Sequence, residues 1–341
     1  MNPIARNLRC LLWPILIVGA GCDVPPSKPA DAPGDGLRGI TLAGWSARAY
    51  QSAMAEQAVD NLAAIGADHI AILITAYQHD RHASRIYLDS ARSPSLVSLH
   101  AIATYASSLG MKVTFKLHVD SDDGTWRAMI QPDDPAAWFA SYREILLPLA
   151  SLAELFQGDR FIVGTELKGT TGNIDQWKTT IAAARAVFSG KLLYAASWDE
   201  AAAVPFWDDL DEIGVDCYAP VADHANPTRF DILVGWGPSI DRLRHLWSQT
   251  GKRIVLTEVG YRSVDGAAMA PYDFTSSARI DPAEQADLYW GALQAIAGAS
   301  FIEGVYWWNW PADNSGGPTN SDYSPARKPA SQELAWSWRL R

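Results

Sequence analysis

Two glutamates stand where that residue is uncommon. Glu166 follows the apolar run Arg160-Phe161-Ile162-Val163 in the segment Gly164-Thr165-Glu166-Leu167. Glu258 follows Lys252-Arg253-Ile254-Val255-Leu256 and opens Glu258-Val259-Gly260-Tyr261. Both runs are short and rich in β-branched or aromatic residues, which predicts strands with a carboxylate at each exit rather than on a solvated helix face. A salt bridge on a sheet rim would account for either acid alone. Two carboxylates converging on one pocket can attack, protonate and deprotonate, and they are the minimum equipment for opening a glycosidic bond.

The elements that must position this pair alternate along the chain. Strand-like runs occur at 38–44, 69–75, 111–117, 159–165, 191–197, 212–218, 252–258 and 303–309. Amphipathic stretches lie between them, at 48–65, 94–109, 134–156, 173–188, 238–250 and 281–297. Several of these open with a cap, a proline or both: Ser93-Pro94, Asp133-Asp134-Pro135 and Asp281-Pro282. Short, nearly all-apolar strands imply a sheet buried on both faces and therefore parallel pairing. Eight such units predict an α/β fold of one closed (β/α)₈ barrel over residues 37–341. A doubly wound open sheet is the alternative, but no glycine-rich phosphate loop follows the first strand. Barrels place reactive groups at the C-terminal ends of their strands. Those exits here gather Trp45, His118, Glu166, Trp198, Tyr218, Glu258, Trp308, Asn309 and Trp310.

Composition narrows the partners. A net charge of −10 lacks the basic footprint that nucleic acid requires. The chain carries 15 Trp, more than core filling needs, and flat aromatic faces suit the C–H faces of sugar rings. No metal site is predicted. His79 and His82 lack a further ligand, and Asp120, Asp122 and Asp123 lack the spacing of a calcium loop. No cofactor is expected either, and the chain is expected to act as a monomer.

Residues 1–21 predict an export signal. Arg6 and Arg9 precede the apolar run Leu11 to Val18, which is too short to span a membrane. Gly19-Ala20-Gly21-Cys22 resembles a bacterial lipobox, with Leu usual where Gly19 stands. Lipidation of Cys22 would anchor the chain to a bacterial membrane on its periplasmic or outer side. Residues 22–36, rich in proline, then form a disordered tether. Cys10 would leave with the signal, and Cys217 remains as a lone buried thiol, so no disulfide framework is available.

The wording around the two glutamates is narrower than the barrel. Glutamates ending the fourth and seventh strands are the arrangement of clan A retaining glycosidases. The segments Gly164–Leu167, Leu256–Tyr261 and Val305-Tyr306-Trp307-Trp308-Asn309-Trp310 resemble glycoside hydrolase family 113. So do Arg38-Gly39-Ile40-Thr41 and Ser324-Pro325-Ala326-Arg327-Lys328-Pro329-Ala330. The resemblance spans the whole barrel. It implies retaining hydrolysis of β-1,4-mannan by an endo-acting enzyme, with Glu258 as nucleophile and Glu166 as acid/base. The loops 76–93 and 263–280 depart from the pattern, and loops at the strand exits set the choice of sugar.

Chemistry then sets expectations for each neighbour. Tyr218 would donate a hydrogen bond that keeps Glu258 charged and aimed. Glu166 would need a raised pKa from burial and from its partner carboxylate. A retaining mechanism predicts about 5–5.5 Å between the two carboxyls. His118 would bind a sugar hydroxyl, or serve as a structural histidine. Trp45, Trp198, Trp308 and Trp310 are candidate sugar platforms, with Trp308 or Trp310 the floor beside the scissile bond. Strand alternation sends Trp307 and Trp308 opposite ways, so only one of those two faces the barrel axis, and Trp308 is taken as that one. Asn309 and Asp199 are hydroxyl binders or strand-end caps, and Lys168 contacts substrate or a helix end. Other readings compete: a hydrolase of another β-glycan or of a secreted exopolysaccharide, a catalytically silent, sugar-binding barrel lipoprotein, and a metal-dependent hydrolase.

Overall fold

The computed structural model describes residues 36–339. The expected export signal, the lipidation site at Cys22 and the tether lie outside the described residues. The strands are β1 (Leu37–Ala43), β2 (His69–Gln78), β3 (Lys112–Ser121), β4 (Arg160–Thr165), β5 (Lys191–Ser197), β6 (Glu212–Asp216), β7 (Ile254–Val259) and β8 (Ile302–Pro311). Every neighbouring pair is parallel, and β8 closes on β1, so the eight form a closed barrel in chain order. The helices are α1 (Ala53–Ile65), α2 (Leu96–Ser108), α3 (Pro135–Leu155), α4 (Ile174–Arg185), α5 (Arg229–Gly235), α6 (Gly237–Thr250), α7 (Pro282–Ala297) and α8 (Pro329–Arg339). The chain is the (β/α)₈ barrel that its sequence predicts.

Local chemistry explains the boundaries. Asp134 and Asp281 cap α3 and α7 through their side chains, each with proline in the first turn. The start of α2 differs from expectation. Ser95 is the cap, its Oγ accepting from the Ser98 amide, while the Ser93 hydroxyl is engaged in the preceding loop, accepting from the Asp89 amide and donating to the Thr75 carbonyl. Strands β2, β3 and β8 run past the predicted runs, so His118 and Trp310 lie inside strands instead of just beyond them.

Two apolar layers hold the barrel. Leu37, Ala71, Ile162, Leu193, Val255 and Tyr306, drawn from strands all round the ring, pack as one interior cluster. The larger layer lies between strands and helices and absorbs many of the tryptophans. Trp177 of α4 packs against Tyr194 and Phe206, with ring centroids 5.2 Å away in both cases. A Cβ at Gly164 would lie 2.6 Å from the Trp177 ring, which is why the segment leading to Glu166 carries glycine there. Ion pairs such as Arg160 with Glu212 (2.7 Å) and Arg253 with Glu303 (2.8 Å) tie together the strand starts, at the end of the barrel remote from Glu166 and Glu258.

Candidate active site

Glu166 is the first residue after β4 and takes a left-handed backbone (φ 52°). A side chain pays for that conformation unless its surroundings fix it, and such residues cluster at functional sites. Here the Glu166 amide donates to the Ala195 carbonyl (2.8 Å), and the next amide, of Leu167, donates to the Tyr194 hydroxyl (2.7 Å). Glu258 is the penultimate residue of β7. Pairing between β6 and β7 slips by one residue between Val215 and Asp216, so that Glu258 rather than Thr257 is in register with Asp216. The slip lets two consecutive β7 residues serve the same polar centre. The Thr257 hydroxyl donates to Asp216 Oδ1 (2.6 Å), and the Thr257 carbonyl accepts from Lys116 Nζ (3.1 Å).

Lys116 is the centre of that arrangement. It is fully buried inside the barrel on β3, with Nζ 2.6 Å from Glu258 Oε1 and 3.1 Å from Asp216 Oδ1. His118, two residues on along the same strand face, places Nε2 3.4 Å from that Glu258 oxygen. The Tyr218 hydroxyl donates to the other, Oε2, at 2.6 Å. Burial would raise the Glu258 carboxyl, but the Lys116 ammonium and the contacts with His118 overcome it and hold the group far below the usual carboxylate range. Burial and the Arg127 charge push His118 down to about 4, so its imidazole is neutral at pH 7. Burial and the Glu258 charge push Asp216 upward.

Glu166 sits differently. Its nearest cation is Arg127, with Nη1 3.4 Å from Oε2, and that guanidinium is shared with Asp120 at 2.7 Å. Burial outweighs the guanidinium, the negative charge on Glu258 adds to it, and the Glu166 carboxyl rises to about 7. One cavity of about 570 Å³ therefore exposes a carboxylate and a carboxylic acid together. Its walls include Trp126, Trp198, Tyr272, Phe274, Trp308 and Tyr323. A neutral acid beside a fixed anion can protonate a leaving oxygen while the anion attacks the carbon it leaves.

The aromatic residues divide. Trp308 faces the cavity and stacks on His118 (centroids 5.4 Å apart, planes at 12°), whereas Trp307 points outward onto Tyr289 of α7 (4.3 Å, 15°). A Cβ at Gly260 would meet the Trp308 carbonyl at 2.4 Å, so glycine after Glu258-Val259 is what lets β8 bring Trp308 in. Trp198 lines the same cavity. Trp45 and Asn309 line an adjoining one of about 520 Å³ that shares Phe274, Trp308 and Tyr323 as a wall. Trp310 is not in either cleft. It is buried in the core, its indole N–H reaching Asn314 at 3.3 Å, so the expectation of a sugar platform there is corrected. The third residue after Trp307 on a strand returns to the opposite face from Trp307 only if the pleat is regular, and β8 pairs irregularly with β1 just there. Lys168 and Asp199 pair with each other at 2.8 Å.

Sequence reasoning passed over Lys116, Asp216 and Arg127. Lys116 and Asp216 read as charged interruptions in strands, and a lysine two residues before His118 on one face was the available signal. Arg127 stands in a loop whose path only the fold fixes.

The model of Glycoside Hydrolase Family 113 matches residues 42–328. The chain belongs to this family. It is a glycoside hydrolase. No curated protein sequence matches it. Among solved structures, two described as GH113 β-1,4-mannanases, one of them a complex, are similar at 25% and 26% identity with TM-scores of 0.83 and 0.82. They cover 90% and 89% of this chain, and 99% of each of their own. The GH113 β-mannanase AaManA from Alicyclobacillus acidocaldarius, in complex with ManMIm, is similar in fold: 23% identity, TM-score 0.81, 89% of this chain and 97% of that one. A β-glucuronidase from Faecalibacterium prausnitzii shares the fold at greater distance (12% identity, TM-score 0.63), covering 89% of this chain but 49% of its own. As a family 113 hydrolase, the chain carries its two carboxyls in a cleft whose aromatic walls and mouth position suit a glycan.

Proposed function

We propose that the chain is a retaining hydrolase of β-1,4-linked polysaccharide, with β-mannan as substrate. Glu258 attacks the anomeric carbon, and Glu166 gives its proton to the departing glycosidic oxygen. The C–O bond to the leaving sugar breaks as the Glu258 Oε–C1 bond forms. Glu166, now a carboxylate, takes a proton from water; that oxygen attacks C1, releases Glu258 and restores the original configuration. The carrying observation is the unequal setting of two carboxyls on one cavity: Lys116 and Tyr218 each stand 2.6 Å from Glu258, whereas the nearest cation to Glu166, Arg127, stands off at 3.4 Å. Tyr218 orients Glu258, and Trp308 offers its face to the sugar whose bond is cut. The similarity to β-1,4-mannanases supports mannan, and a cleft continued past Trp308 into a second chamber supports cutting within a chain.

The test is a panel of β-mannan, glucomannan, xylan and β-glucan, with products analysed by size and by anomeric configuration at first appearance. Internal cleavage of mannan with β-anomers appearing first is expected. First-formed α-anomers would overturn Glu258 as nucleophile, and binding without cleavage of every glycan would favour the sugar-binding barrel. Export and lipid anchoring at Cys22 belong to the same proposal. Labelled palmitate should enter the intact chain and not a Cys22→Ala variant.

A further inference from the structure

The second chamber lies on the β8–β1 side of the mouth, across the closed strand order from β4 and β5, which carry Glu166 and Trp198. Since Glu166 must stand beside the leaving sugar, the β4–β5 side takes the aglycone, and the β8–β1 chamber takes the glycone; this step rests on the roles proposed above. Trp45, Trp308 and Phe274 give that chamber the aromatic faces a sugar needs.

Its charge is unusual. Arg262 lines the chamber and is 7% exposed. Its guanidinium donates to the Ser276 carbonyl (2.6 Å) and the Ser321 hydroxyl (3.2 Å), while Nε is buried without a partner. Behind it Lys328 is 2% exposed and donates to Asn320 Oδ1 (3.2 Å) and the Asp322 carbonyl (3.1 Å). Among the described residues neither cation has a carboxylate in ion-pair contact; Asp313 and Asp322, the acids on this chamber's wall, are exposed. Burial pulls Lys328 down to about 8, with the Asp322 carboxylate opposing the shift and the nearby Arg262 charge assisting it, so Lys328 is still mostly protonated at pH 7. Elsewhere in this barrel buried cations are matched: Lys116 by Glu258 and Arg160 by Glu212. A buried cation without an ion-pair partner is costly, so a chamber that keeps Arg262 on its wall and Lys328 behind it in that state favours an anion that arrives with the ligand. A guanidinium is the group that reads a carboxylate's planar geometry.

We infer that the glycone chamber, through Arg262 backed by Lys328, binds an acidic sugar, so that the preferred substrate is a β-1,4-linked glycan carrying a carboxylate, as a uronic acid does, on the glycone side of the cut. The neutral hydroxymethyl of mannose leaves the guanidinium unpaired; a C6 carboxylate pairs with it.

Two β-1,4-linked mannotetraoses that differ only in C6 of the non-reducing unit, one neutral and one oxidised there to mannuronate, isolate this charge. The intact enzyme should cleave the acidic tetraose with a kcat/KM roughly 10- to 100-fold higher, the range expected of one charge-assisted contact. Calorimetry on the intact chain and on Glu258→Gln should give the same order of Kd. Arg262→Gln should abolish the preference while neutral cleavage persists, and Arg262→Lys should restore part of it; melting curves report whether each variant is folded. Equal or better use of the neutral tetraose by the intact enzyme would overturn the inference and leave the proposed function standing. Should neither tetraose be cleaved, the proposed function fails, and the binding preference alone still decides the charge of the chamber.

Discussion

The ends of β4 and β7 carry the same side chain a few ångströms from the same cavity and give it opposite properties. At β7 three groups converge on one carboxylate: an ammonium at 2.6 Å, a phenol at 2.6 Å and an imidazole at 3.4 Å. At β4 a single guanidinium stands off at 3.4 Å, already engaged by Asp120. Burial is complete or nearly so at both ends, so desolvation does not separate them. The number, distance and prior commitment of the positive groups do. Equal burial with unequal compensation turns one glutamate into an anion and its twin into an acid.

The largest test of this contrast removes the anion. Glu258→Gln should lower kcat on the order of 10⁴- to 10⁶-fold, as loss of a nucleophile does. Added azide or formate should rescue Glu258→Ala with a product of inverted configuration, which stopped assays by NMR would detect. Glu166→Gln should cost about 10²–10⁴-fold on polysaccharide and far less on an aryl glycoside, whose leaving group needs no proton. Equal losses on both substrates would remove Glu166 from that role.

Lys116→Met attacks the contrast at its source. It strands Glu258 beside Asp216 in the barrel, and breaking a buried pair costs about 3–5 kcal/mol of stability. In the surviving fold the acid limb of the kcat/KM profile should move upward, because Glu258 loses the group that holds it ionised. An unmoved limb would show that Tyr218 suffices. Tyr218→Phe should do less, roughly 10-fold in kcat/KM, with a smaller upward shift of the same limb.

The pH profile is the mildest test. Activity should fall as pH rises through about 7, where Glu166 loses its proton, and should hold on the acid side until Glu258 takes one up well below the ordinary carboxylate range. The signs for stability are opposite. Folded Glu166 binds its proton more tightly than the unfolded chain does, so its contribution to stability declines between about pH 4.3 and 7. Glu258, depressed on folding, contributes above about pH 4.3 and loses that contribution as pH falls. Glu166→Gln should flatten the first dependence and leave the second, as melting temperatures across pH would register.

The sequence by itself determined the barrel and the strand-end glutamates. Short apolar runs can be buried on both faces only in a parallel sheet, and eight of them with helices between leave little but closure. Period two within Trp307-Trp308 also required the two rings to point opposite ways, and the structure decides that Trp307 is the one that turns outward. Local rules failed where pairing departs from the regular pleat. The β6–β7 slip that aims Thr257 and Glu258 at one centre, and the β8–β1 irregularity that buries Trp310, depend on neighbouring strands far away in the chain. Charges were the other limit. In the linear chain Lys116, Asp216, Arg127 and Arg262 are four ordinary charged residues among many. Only the tertiary structure decides that Lys116 faces Glu258 across the barrel and that Arg262 is buried with no carboxylate in ion-pair contact, because electrostatic strength depends on distance and desolvation, and neither is written in sequence.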